Sequence, residues 1–185
     1  MSRTPKLALE ELSPAQRAVH DAIVSGPRAG IPGPLRVWLT SPDLAQRAQE
    51  LGAFCRYGTS LAPRLSELAI LVTATYWAAG YEWAVHAPEA EKAGLDPAVI
   101  GELKAGRRPR FEREDERAVY DFAQELLADR RVSDAAFAAA SAALGETGVV
   151  ELTGILGYYG LISMTIKAFE IAAPAGQTEP FAAGR

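Results

Sequence analysis

Residues 63–86 read PRLSELAILVTATYWAAGYEWAVH. From Pro63 to about Ala79 the segment is apolar nearly all round, and Leu68, Ile70, Leu71, Val72, Tyr76 and Trp77 leave no polar stripe. A helix without a polar face is buried on most sides, so this one is expected to be a core helix. Gly80 is expected to break it, and Tyr81-Glu82-Trp83-Ala84-Val85-His86 to open the next. Three ionisable groups stand in these apolar surroundings: Glu67, Glu82 and His86. Glu82 and His86 are four apart and share one helix face. A carboxylate beside an imidazole raises its pKa and orients its ring, which suits proton uptake and delivery near neutral pH. Glu67 completes a relay if the turn at Gly80 folds one helix back on the other. A plainer reading stays open, in which the Glu–His pair ties down a helix surface and Glu67 is a charge near a helix N-terminus.

Outward from this stretch, helix starts recur. Ser13-Pro14 with Gln16 forms a capping-box pattern. Ser41-Pro42-Asp43 and Asp96-Pro97 repeat the device, and Ser133 and Thr147 are further candidate caps. Val19, Ile23, Leu44, Leu51 and Phe54 recur at helical steps, as do Val119, Phe122, Ala123, Leu126 and Leu127. No Asn-Gly or Asp-Gly turn occurs anywhere, so the expected fold is all-α, one domain over residues 1–173. Gly26, Pro27, Gly30, Pro32, Gly33 and Pro34 make Ser25 to Thr40 a predicted loop, of a length that often covers a binding site or a subunit contact. A second nearly all-apolar helix is expected from about Val149 to Ala172. Two such helices in a chain of 185 residues suggest burial between subunits, hence a homo-oligomer. Beyond Pro174, residues 174–185 are expected to be a flexible tail.

Apolar residues make up 49% and charged residues 23%, with a net charge of -4. That balance argues against nucleic acid as partner, which needs a dense positive face. The Arg107, Arg108 and Arg110 cluster reads as a solvated loop. The single cysteine, Cys55, excludes an intrachain disulfide and a cysteine-based metal site. Leu152 to Ile166 is the longest uncharged stretch and falls short of a membrane span. With no signal-peptide pattern at the N-terminus, no membrane partner and a cytoplasmic location are expected. His20, next to Asp21, reads as a surface residue.

The run Arg64-Leu65-Ser66-Glu67-Leu68-Ala69-Ile70-Leu71-Val72, then Tyr81-Glu82-Trp83-Ala84-Val85-His86, then Ala93-Gly94-Leu95, resembles the carboxymuconolactone decarboxylase family. Glu114-Asp115-Glu116-Arg117-Ala118-Val119-Tyr120 and the segments at Glu151-Leu152, Gly157-Tyr158-Tyr159 and Met164 are similar to it as well, so the likeness spans roughly residues 10 to 172. It implies an all-helical fold shared with alkylhydroperoxidase D, assembled as trimers or hexamers. In the alkylhydroperoxidase branch a Glu is followed by Cys-x-x-Cys and a His. Laid on this chain, the Glu is Glu67, the His is His86, and the two thiol positions fall on Ala79 and Glu82, neither of them cysteine. A thiol relay needs those sulfurs.

What the resemblance then implies is the cofactor-free, metal-free decarboxylase branch. It acts on a carboxylated lactone of the 4-carboxymuconolactone type, which carries its own electron sink. On this reading His86 is the general acid, Glu82 its orienting or relaying carboxylate and Glu67 a second relay member. Arg64 or Arg56 holds the substrate carboxylate, and Tyr81, Trp83 and Tyr158 are pocket walls. Lys167 stands where relatives often show Asn. Two alternatives are a peroxidase-like redox enzyme using Cys55, which otherwise reads as a buried structural cysteine, and a non-catalytic binder of a small acid.

Overall fold

The computed structural model describes residues 3–5, 7–26, 30–177 and 179–181; Pro27 of the predicted loop, the start at Met1 and Ser2, and residues 182–185 of the predicted tail lie outside them. Among the described residues a short 3-10 turn at Leu9–Glu11 is followed by eight helices: α1 (Pro14–Val24), α2 (Gly33–Trp38), α3 (Pro42–Tyr57), α4 (Pro63–Trp77), α5 (Gly80–Lys92), α6 (Pro97–Lys104), α7 (Glu114–Asp129) and α8 (Asp134–Phe169). Among the described residues there is no strand.

Prolines open α1, α3, α4 and α6, where a missing N–H leaves no hydrogen bond unmade and the fixed φ is already helical. The box at Ser13 is formed in both directions, with the Gln16 N–H donating to Ser13 Oγ and the Ser13 N–H to Gln16 Oε1. Asp96 accepts from the Ala98 N–H and Ser133 from the Ala136 N–H; each such cap contributes about 1 kcal/mol. Ser41 makes no side-chain cap bond. Thr147 lies inside α8, because the break falls two residues earlier at Gly145, whose φ of 71° is open to glycine but strained for other residues.

Two segments differ from the sequence reading. The stretch to Thr40 is not all loop: α2 starts at Gly33 with Pro34 in its first turn, a place where proline starts a helix rather than stopping one. The predicted tail returns to the body and buries Phe181 in the core.

At the centre α4 packs against α5, α7 and α8. Leu65, Leu68, Ile70, Leu71 and Val72 are all buried, each contributing roughly 1.5–3 kcal/mol by leaving water. α8 faces it with Leu152, Ile155, Leu156, Tyr159 and Ile162, also buried. By length and composition α8 could cross a membrane, yet 56% of its most apolar window is buried inside the protein, as a core helix requires. On α3 the inward residues are Ala45, Ala48, Gly52 and Cys55, all small, together with Gln49. Leu44, Leu51, Phe54 and Tyr57 point outward and are 45–48% exposed, with Val150 and Met164 of α8 also exposed.

Candidate active site

The turn after α4 places α5 against it, as a relay requires, but Gly80 is not what breaks α4. The break is at Ala78, in the left-handed region at φ 47°, and Gly80 is the first residue of α5. Glu82 and His86 then lie one turn apart on α5 and face Glu67 of α4. His86 Nδ1 is 2.7 Å from Glu67 Oε2, and His86 Nε2 is 3.1 Å from Glu82 Oε2. All three residues are buried.

An imidazole with a carboxylate at each nitrogen donates from both and is therefore an imidazolium. Burial opposes that charge, but hydrogen bonds to Glu67 and Glu82, with their charges, raise the His86 pKa from 6.5 to about 9. Tyr159 stands edge-on to the ring, centroids 5.1 Å apart. Its phenol is held well above its ordinary range by burial and then by the Glu82 and Glu67 charges, so it is neutral at physiological pH. The edge-to-face series continues through Tyr158, 5.3 Å from Tyr159, to Trp38, whose Nε1 donates to Thr165 Oγ1 at 2.9 Å. This chain of rings fixes the wall behind the imidazolium.

Glu82 and His86 open onto a cavity of about 350 Å³. Arg56, Tyr81, Tyr158 and Tyr159 supply its other polar groups, and Ile31, Leu35, Val85 and Ile162 its apolar ones. Gly30, Ile31 and Pro32, from the loop before α2, lie along it. The Gly33 N–H donates to Tyr81 Oη at 3.0 Å and ties that loop to α5. Burial raises the Tyr81 phenol despite the bond to Gly33.

Arg56, Tyr81, Glu82, His86 and Tyr158 thus meet at one cavity, with Glu67 behind the imidazole. Arg64 and Trp83 do not line it. Arg64 turns toward α7, its guanidinium 2.6 Å from Glu116 Oε1 and 2.7 Å from Asp115 Oδ2. Its guanidinium is thus engaged by α7 carboxylates and is not presented to the cavity. Trp83 is next to Glu82 on the helix and so faces elsewhere; it packs edge-on against Phe181 at 5.5 Å. Tyr159 was not singled out from sequence as a site residue. Its signal was the adjacent aromatic pair Tyr158-Tyr159 on an apolar helix.

Cys55 is buried and away from the cavity lining. Burial, then the Glu151 charge, raise its pKa to about 11, the reverse of what a nucleophilic thiol needs. His20 pairs with Asp21 at 2.8 Å on α1, and Arg107 and Arg108 pair with Glu102 and Asp121. Among the described residues no set of three or more His, Cys, Asp or Glu side chains is arranged to hold a metal ion. Glu67 and Glu82 meet different nitrogens of the His86 ring.

In sequence the chain matches no family model and no curated protein. In structure it is similar to an uncharacterized peroxidase-related protein from Silicibacter sp. TM1040, with TM-score 0.74 and 12% identity over 93% of this chain and 92% of that one. It is similar also to an alkylhydroperoxidase AhpD core protein, an uncharacterized peroxidase-related protein from Ralstonia eutropha JMP134, with TM-score 0.75 and 16% identity over 94% and 93% of the two chains. The apo debrominase Bmp8 superposes with TM-score 0.69 and 17% identity over 96% of this chain and 92% of that one; a variant of it was solved with 2,3,4-tribromopyrrole. The fold is the alkylhydroperoxidase D-like helical bundle that the sequence resemblance implied.

Proposed function

We propose that this alkylhydroperoxidase D-like bundle serves as a cofactor-free acid–base lyase that decarboxylates a small carboxylated lactone of the 4-carboxymuconolactone type. One observation carries the reading: the buried His86 ring held between two carboxylates at the wall of a cavity, with Glu82 where a thiol relay would need sulfur. The substrate loses CO2 as its C–C bonding pair moves into the unsaturated lactone, giving a dienolate. A proton delivered to carbon then completes the product.

The geometry changes the division of labour that the sequence suggested. Both His86 nitrogens are occupied, so His86 does not meet substrate first. The His86 Nε2 proton passes to Glu82, which lines the cavity, and the carboxylic acid so formed gives it to carbon. Glu67 stabilises the charged ring through Nδ1, and the ring left neutral by the transfer takes a new proton from solvent. A pKa near 9 keeps this reservoir loaded at neutral pH. Arg56 is the cation of the cavity. A cation on the departing carboxylate would stabilise the ground state and slow the loss of CO2. Arg56 is therefore assigned to the dienolate oxygen or to a carboxylate that stays. The debrominase of this fold was solved with a planar five-membered ring, which supports a ring of that size as ligand here.

A peroxidase reading lacks a competent thiol: Ala79 and Glu82 hold the relay positions, and Cys55 is buried with a raised pKa. We also propose that the outward apolar residues of α3 and α8 are buried between copies in a homo-oligomer. The lyase reading is tested by incubating the protein with 4-carboxymuconolactone in D2O and following CO2 and product by NMR. Stoichiometric CO2 with one deuterium on one face of the new C–H centre is expected. Binding without CO2 release would replace the lyase with a small-acid binding protein.

A further inference from the structure

We propose that Lys167 and Glu179, with Phe181 as anchor, clamp the turn at Ala78–Gly80 and thereby set α5 against α4 so that His86 stays between Glu67 and Glu82. The turn needs outside support. Ala78 takes a left-handed conformation, φ 47°, which is unfavourable for a residue with a β-carbon. Ala79, the N-cap of α5, makes no side-chain cap bond, and the first N–H groups of any helix have no partner within it.

Two charges sit at this turn, each with the sign its helix end favours. Lys167 Nζ donates to the Ala78 carbonyl at 3.4 Å, placing a cation at the negative end of α4. The Glu179 carboxylate lies directly against Gly80, where a β-carbon would overlap it, placing an anion at the positive end of α5. Phe181, two residues on, is buried and packs edge-on to Trp83, one turn into the same helix. The segment is thus fixed to α5 at two points. Glu82 is two residues beyond Gly80, so a shift of the turn changes the 3.1 Å separation between Glu82 and His86 Nε2 before it changes anything deeper. Lys167 and Glu179 are not among the residues that line the cavity; they are positioning residues.

The consequence for turnover rests on the acid–base reading above, but the test is read from His86 itself. The chain has two histidines, so in the full chain carrying His20→Gln one imidazole remains. Its pKa is followed by NMR of 15N-labelled histidine, with Tm measured in parallel. The charged and titratable groups facing it are Glu67 from α4, Glu82 from α5, Arg56 from α3 and Tyr158 and Tyr159 from α8, with Glu89 one turn on. All are left in place. Lys167→Met and Glu179→Gln should each lower the His86 pKa by about one unit, because both loosen its carboxylate partners; Lys167→Arg should restore it. Direct action of the removed charges would give opposite signs, with Lys167→Met raising the value and Glu179→Gln lowering it. Opposite signs, or an unchanged pKa alongside a lower Tm, would overturn the clamp. Both variants change exposed side chains and keep Phe181 in place. A protein that shows the paired decrease yet releases no CO2 from the lactone would retain the clamp and lose the lyase.

Discussion

Raising the pH from 6 to 9 should weaken this protein by an amount set at His86. In the fold the ring titrates near 9, against 6.5 when unperturbed, and a difference of that size corresponds to on the order of 3 kcal/mol. The native state then binds a proton that the unfolded chain has released, so stability falls as pH rises through this window. The contribution is fully present below pH 6.5 and lost as pH passes 9. For a chain of this size a urea slope of roughly 2 kcal/mol per molar turns it into a midpoint decrease of about 1.5 M. Urea unfolding by circular dichroism at half-unit steps from pH 6 to 9 measures it, and His86→Gln should flatten the profile. The upper limit matters, because the Cys55 thiol, raised to about 11, adds its own loss of stability at higher pH. A wild-type midpoint that stays level or rises between pH 6.5 and 9, or a slope that persists in His86→Gln, would refute the buried imidazolium.

Arg64→Ala should destabilise the protein by about 3 kcal/mol, since it strands the buried Glu116 carboxylate. Decarboxylation per folded molecule should be unchanged, and thermal melts with specific activity separate the two effects. Arg56→Met should lower kcat/KM for the lactone about 100-fold, as expected for loss of one charge contact to a developing anion, while leaving Tm within a few degrees; steady-state kinetics on the folded variant decides it. Leu51→Glu with Phe54→Glu should convert an oligomer into monomers, read by light scattering on a sizing column. A wild-type chain that is already monomeric would remove the interface.

Much of the fold was legible because helix starts are local. Ser13, Asp96 and Ser133 cap as their spacing predicts, and proline at a first helical position carries its own φ. Gly33-Pro34 misled for the same reason, since one dipeptide serves a loop or a helix start and only the packing of Leu35, Val37 and Trp38 chooses. Helical periodicity marked Leu44, Leu51 and Phe54 as one series but not which way they face; an interface stripe and a core stripe read alike. In the site, Glu82 and His86 were readable because four residues make one turn, and Glu67 because a carboxylate in an apolar helix needs a partner. Arg64 and Arg56 have the same side chain, and only the fold shows that Asp115 and Glu116 take one of them while the other reaches the cavity. Phe181 sits among Gly, Ala and Pro, with nothing nearby in sequence to announce Trp83.

The account stands on Glu82 handing a proton to carbon with no help from sulfur. The most direct measurement is kcat for CO2 release from 4-carboxymuconolactone in Glu82→Gln and Cys55→Ser, each checked for folding. Glu82→Gln should lose at least about 100-fold, the lower end for removing a positioned acid, and Cys55→Ser should match the parent. Full turnover in Glu82→Gln, or its collapse in Cys55→Ser, would contradict it.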